Sequence, residues 1–139
     1  MKILVTGGTG MVGSAFLKTK RDHEIMLVGS SDADLTSFSS TVCLLESTKP
    51  DSVIHLAARV GGVKSNTVYV ADFYLQNTLI NTNVLNACHE NDVRKVVSLL
   101  STCVYPDKAK YPLTEDQIQQ GSPHLSNFGY AYSKRMLDV

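Results

Sequence analysis

Lys2-Ile3-Leu4-Val5-Thr6-Gly7-Gly8-Thr9-Gly10-Met11-Val12-Gly13 stands at the head of the chain and decides how the rest is read. Residues 2–6, dominated by apolar and β-branched side chains, predict a strand, and the glycines after it predict a tight turn into a helix. Gly7, Gly10 and Gly13 recur at a three-residue spacing. An ordinary strand-to-helix turn needs one glycine. Three in register suit a turn whose backbone N–H groups approach a pyrophosphate and whose helix meets the strand closely at Gly13.

Further strands are expected over residues 25–28, 53–56 and 96–100, short apolar runs of the kind buried on both faces. Helical patterns alternate with them. Val12, Ala15 and Phe16 share one face, Phe38, Val42 and Leu45 another before Pro50, and Phe73, Ile80, Val84 and Ala87 a third over residues 72–90. This alternation predicts an α/β fold, a doubly wound parallel sheet with helices on both faces. Along the longest helix, Gln76, Asn77, Asn81, Asn83 and Asn86 read mainly as solvated or interhelical residues, with Asn83 the one that could face an active site. Residues 105–129 carry Pro106, Pro112, Pro123 and Gly121 and read as a long loop, a length that usually signals function. A last helix begins near Gly129.

The 139 residues, 43% hydrophobic and 19% charged, suffice for one soluble domain with a sizeable core. Net charge is zero and no basic run occurs, which argues against nucleic acid or an anionic membrane as partner. No apolar stretch reaches membrane-span length. A strand at the very start leaves no room for a signal peptide, so a cytoplasmic protein is expected. Cys43, Cys88 and Cys103 form no CxxC pair, so neither a disulfide framework nor a metal site is indicated.

Chemistry concentrates near the end. Tyr130 and Lys134 lie four residues apart in Tyr-Ala-Tyr-Ser-Lys, one helical turn on one face. There an ammonium is expected to lower the pKa of the phenol and make it a usable acid near neutral pH. Ser101, at the end of the fourth expected strand, can hydrogen-bond a substrate carbonyl. At the end of the second strand, Ser30 and Ser31 suit the 2′-phosphate of NADP, while Asp32 stands where an acid would bind the 2′-hydroxyl of NAD. The residues alone leave these two cofactors open.

With these motifs stand Asp32-Ala33-Asp34-Leu35-Thr36, His55-Leu56-Ala57-Ala58 followed by Val60-Gly61-Gly62, Ser101-Thr102-Cys103-Val104-Tyr105-Pro106, and Ser126-Asn127-Phe128-Gly129-Tyr130. Together they resemble the GDP-L-fucose synthase family of extended short-chain dehydrogenases/reductases, from the first residue to the last. The resemblance implies a Rossmann-like domain over residues 1–139 that binds NADP(H), tipping the choice at Ser30 and Ser31. It implies cofactor contacts at Gly7, Gly10, Met11, Val12, Gly13, Ser30, Ser31, Asp34, Leu56, Ala57, Ala58, Tyr130 and Lys134. Catalysis would rest on Ser101, Tyr130 and Lys134 for reduction and on Cys103 as acid/base in epimerisation. The substrate implied is a GDP-sugar, GDP-4-keto-6-deoxy-D-mannose, and the assembly a homodimer paired through the long helix and the Tyr130 helix. In the family the partner histidine of this cysteine and most of the sugar pocket lie beyond the Tyr130 helix, so the chain is expected to be the N-terminal part. His55 and His89 read as structural, while His124 could approach the site. Two alternatives remain: a non-catalytic dinucleotide-binding or subunit-pairing module, and another NAD(P)-dependent sugar-nucleotide epimerase, which the Ser101-Thr102-Cys103 triplet suits less well.

Overall fold

A computed structural model describes residues 1–18 and 22–139. The described elements are β1 (Lys2–Thr6), α1 (Met11–Ala15), β2 (Glu24–Val28), α2 (Phe38–Thr48), β3 (Ser52–His55), α3 (Val63–Val68), α4 (Val70–Glu90), β4 (Lys95–Ser98) and α5 (Phe128–Arg135). The chain divides into two compact units, residues 1–58 with 79–99 and residues 59–78 with 100–139. No described helix is long and apolar enough to cross a membrane.

The first unit holds a parallel sheet in the order β2-β1-β3-β4. Leu4 pairs in register with Met26 on one side and Val53 on the other, and Val53 with Val96. Leu4 and Val5 are neighbours and therefore point to opposite faces, yet both are fully buried, so both faces of β1 are covered. Leu4, Val28 and Val53 pack with Leu45 of α2 and with Val84, Ala87 and Cys88 of α4. With right-handed crossovers this strand order puts α1 on the face opposite α2 and α4. The result is the Rossmann-like, doubly wound α/β architecture expected, and the winding reverses between β1 and β3, where such sheets bind ligands.

Several local expectations are corrected. The second strand starts one residue earlier than expected, and the third and fourth run from Ser52 to His55 and from Lys95 to Ser98. β4 is an edge strand with Val97 exposed, and Leu99 just past it is exposed too, so it is not buried on both faces. In α1 the buried residue is Gly13, while Val12 and Ala15 are exposed; the helix meets the fold through its glycine. In α2, Thr41 and Leu45 are buried and Phe38 is exposed. The short α3 was not anticipated, because Val63-Lys64-Ser65-Asn66-Thr67-Val68 has too few apolar residues to show a period.

The largest correction concerns the asparagines of α4. Asn77 and Asn81 are fully buried and Asn83 nearly so. Asn83 donates to the Leu35 carbonyl at 2.9 Å and so anchors the segment before α2. A helix stripe of Phe73, Asn77, Asn81 and Val84 keeps the 3.6-residue period while replacing two apolar positions by amides that find hydrogen bonds.

Candidate active site

In the first unit, the turn after β1 is built from backbone and glycine. Gly7 has φ +69°, a conformation that side chains resist, and a Cβ there would lie 2.8 Å from the backbone nitrogen of Ala57 just past β3. Gly8, not singled out in the sequence, is needed because a Cβ would lie 2.7 Å from Leu27. Gly10 differs: its amide donates to the Gly7 carbonyl at 3.0 Å, and a Cβ would meet only that carbonyl, at 3.2 Å. Gly10 is also the N-cap of α1 with no side-chain cap, so the N–H groups that open the helix keep their donors free of it. Met11 and Val12 follow, both exposed.

Around this turn the strand ends are pinned. Thr6 Oγ1 and His55 Nδ1 are 2.8 Å apart, and His55 Nε2 lies 3.1 Å from Asn81 Oδ1, so His55 is the structural residue expected. Leu56 N–H donates to the Thr6 carbonyl at 3.1 Å, and Leu56, Ala57 and Ala58 are half-buried as they leave β3. After β2, Asp32 accepts from the Gly29 N–H at 2.7 Å. That carboxylate closes its own turn. Asp34 accepts from the Thr36 hydroxyl at 2.6 Å and its N–H at 2.9 Å, and these bonds hold the exposed carboxyl below the usual range. Ser30 and Ser31 are exposed.

The second unit gathers the reactive side chains. Ser101 and Cys103 bracket a short 3₁₀ turn, with Ser101 Oγ accepting from the Cys103 N–H at 3.3 Å. α5 carries Tyr130 and Lys134, and Gly129 lies against the Val70 carbonyl with no room for a side chain. Burial, then the charge of Cys103, push the Tyr130 phenol above its ordinary pKa, against a hydrogen bond with Ser101 that pulls it down. This corrects the expected lowering by Lys134. Lys134 is itself only 2% exposed, and burial brings its ammonium down to about 8. Behind it, buried Arg135 donates to the Val104 carbonyl at 2.6 Å and lies over the Tyr132 ring at 5.2 Å.

Cys103 and Tyr130 line one cavity of about 210 Å³, walled on another side by Val60 and Val63. Two further lining residues carry no role in the sequence reading. Asn127 Nδ2 donates to the Cys103 sulfur at 2.7 Å. Asn66 is 5% exposed and donates to the carbonyls of Gly61 and Gly62 at 2.8 and 3.1 Å. The Oδ1 atoms of both are buried without a partner. A short polar residue beside a helix start is too common for sequence to mark it as functional. Asn77 fixes the approach to this region, taking the Arg59 N–H at 2.8 Å and donating to the Arg59 and Phe73 carbonyls. His124 is exposed; its ring bonds Ser126 at 2.8 Å and stands 3.8 Å from Asp107, so it is not among the groups lining the cavity.

Comparison with known proteins matches residues 3–139 to a model of the NAD dependent epimerase/dehydratase family. A probable GDP-L-fucose synthase of Drosophila melanogaster is 49% identical over 99% of this chain and 44% of its own length. A GDP-L-fucose synthase of Dictyostelium discoideum is 51% identical over the same shares. Among solved structures, a GDP-L-fucose synthetase of Naegleria fowleri bound to NADP superposes with TM-score 0.90 at 45% identity, over 99% of this chain and 45% of that one. The chain thus spans about 44% of the length of the curated relatives it matches.

Proposed function

This chain belongs to the NAD dependent epimerase/dehydratase family, and we propose that it carries the dinucleotide turn and the proton-transfer groups of a GDP-L-fucose synthase. That activity converts GDP-4-keto-6-deoxy-D-mannose to GDP-L-fucose by epimerisation at C3 and C5 and reduction at C4. One observation carries the reading: Cys103 and Tyr130 line the same cavity, where burial and then the charge of Cys103 raise the Tyr130 phenol. Epimerisation beside a ketone needs a base at carbon, and reduction of that ketone needs an acid at oxygen. A phenol raised chiefly by burial keeps the proton that the ketone oxygen requires, which leaves the work at carbon to the sulfur.

The residues that would hold NADP(H) are Gly7, Gly10, Met11, Val12 and Gly13, with Ser30, Ser31, Asp34, Leu56, Ala57 and Ala58, and Tyr130 and Lys134 at the nicotinamide end. The turn fits such a group, since the space a Cβ would take at Gly10 is open apart from one carbonyl. When bound, NADPH supplies the hydride. Cys103 as thiolate takes a proton from carbon beside the ketone, and the electron pair moves to the ketone oxygen. Ser101 and Tyr130 donate hydrogen bonds there. A second acid on the opposite face, the histidine that the resemblance places beyond the Tyr130 helix, would return a proton there and invert the centre. In the reduction Tyr130 gives its phenolic proton to the oxygen as C4 becomes an alcohol, and Lys134 stabilises the phenolate left behind. Residues 1–139 serve as the NADP-binding domain in this reading.

The exposed Tyr74, Leu75 and Leu79 of α4 support pairing of two chains as a homodimer. Three free cysteines suit the reducing cytoplasm. The test is NADPH oxidation with GDP-4-keto-6-deoxy-D-mannose. Tyr130→Phe is expected to cut turnover by about two to four orders of magnitude, and turnover unchanged by loss of the phenol would remove Tyr130 as the acid. A second reading, supported by the glycine turn alone, is a dinucleotide-binding module without turnover. NADPH that raises the melting temperature with no oxidation supports it.

A further inference from the structure

Asn127 occupies the N-cap of α5, a place where asparagine normally accepts a hydrogen bond from the first turn. It makes no such bond. Its Nδ2 instead donates to the Cys103 sulfur at 2.7 Å, and its Oδ1 is buried with no partner. A helix cap and an amide oxygen are both left unused so that one N–H can reach one sulfur. Residues that break a local rule at a cost are where function is to be sought.

We propose that Asn127 is a positioning residue for Cys103, its carboxamide N–H holding the sulfur as an acceptor on the cavity wall beside Tyr130. The end of the amide that faces the sulfur decides the chemistry. An N–H donor supports a sulfur with its lone pairs free to take a proton or attack carbon. An amide oxygen in the same place would accept from an S–H and keep the sulfur protonated. In the structure the nitrogen faces the sulfur. The inference deepens the reading of Cys103 as the acid/base of the site and rests on it.

The experiment is alkylation of the folded chain by iodoacetamide, with each cysteine followed by peptide mass. The sulfur forms a bond to carbon, the carbon–iodine bond breaks and iodide leaves. Cys43 is exposed and lies in the other unit, so it is the internal reference for rate. Cys88, 2% exposed, is labelled only if the fold is lost, so unfolding is read in the same sample. Asn127→Asp keeps the shape and removes the donor, and Asn127→His keeps an N–H at the same distance along the side chain. With Cys88 protected, the Cys103 rate relative to Cys43 is expected to fall roughly tenfold or more in Asn127→Asp and to stay within about threefold of the parent in Asn127→His. An unchanged rate in Asn127→Asp, or equal losses in the two variants, overturns the proposal. The labelling needs neither cofactor nor sugar. A donor-dependent Cys103 in a chain without turnover would therefore count against the assigned activity and leave the role of Asn127 standing.

Discussion

In the unit of residues 1–58 and 79–99, the buried imidazole of His55 holds Thr6 on one nitrogen and Asn81 on the other, and buried Thr41 and Asn83 bond backbone carbonyls. In the unit of residues 59–78 and 100–139, Asn66, Thr78, Asn127 and Arg135 each bury a side-chain oxygen or nitrogen with no partner. Among the described residues, every such orphan falls in the second unit. An unpaired buried polar atom costs about 1–3 kcal/mol. The first unit therefore spends its polar groups on holding strand ends in place. The second gives up stability around a cavity that holds a thiol and a phenol, and two of its four orphans belong to residues of that cavity's wall.

The contrast is sharpest at His55. His55→Ala removes a fully buried ring and strips Thr6 and Asn81 of a shared partner. A loss of about 3–4 kcal/mol is expected from the cavity and the two lost hydrogen bonds together. Asn127→Leu in the second unit should change stability by less than about 1 kcal/mol, because the lost bond to sulfur is offset by removal of an orphaned oxygen. Urea unfolding of the two variants measures both. Equal losses would mean that pairing does not distinguish the units.

Titration separates them again, with a smaller effect. Burial lowers Lys134 from 10.5 to about 8 and raises Cys88 from 9.0 to about 11. Below pH 8 Lys134 is protonated in folded and unfolded chains alike, and the folded chain bears the full cost of burying the charge. Between about 8 and 10.5 only the unfolded chain keeps that proton, so stability rises with pH, by about 3 kcal/mol if Lys134 acts alone. Cys88 runs the other way. Between 9 and about 11 only the folded chain keeps its proton, and stability falls through that window by about 2–3 kcal/mol. Unfolding free energy should thus rise from pH 8 to 9 and then level off. Lys134→Met should abolish the rise, and Cys88→Ala should extend it. Parallel curves for all three proteins would show that these two groups do not set the profile.

The paired unit was the more legible in sequence. Apolar runs and glycine spacing are local signals, and they placed β1 to within the residue and the sheet to within its edge. What they hid was non-local. Asn77 and Asn81 look like a solvated face until the carbonyls and the imidazole they bond are brought alongside, and Gly8 looks redundant until β2 runs 2.7 Å from where its Cβ would be. In the second unit the spacing of Tyr130 and Lys134 and the Ser101-Thr102-Cys103 triplet marked the reactive groups. The sign of the Tyr130 shift is not legible in the sequence, because burial and the sulfur, not the lysine four residues on, govern it. Asn66 carries no sequence signal, and Asn127 stands in a quoted motif without a role of its own, since their roles depend on which atoms they leave unpaired.

One position in the paired unit stands outside the rule that its residues are there to hold the frame. A side chain at Gly7 or Gly8 would strike the backbone just past β3 or that of β2, so those glycines answer to packing. Gly10 has ordinary extended backbone at φ −78°, and an added methyl would press only on the Gly7 carbonyl, which can yield a few tenths of an ångström. Gly10→Ala is therefore expected to cost less than about 1 kcal/mol of stability, the smallest of these effects. Its cost to the proposed cofactor should be larger, because the methyl fills the space through which a pyrophosphate would approach the start of α1. The melting temperature without ligand should barely move, while the increase produced by NADPH should shrink or vanish. A variant that is clearly destabilised yet keeps its response to NADPH would make Gly10 a packing residue like its neighbours, and the turn would then have no position reserved for a ligand.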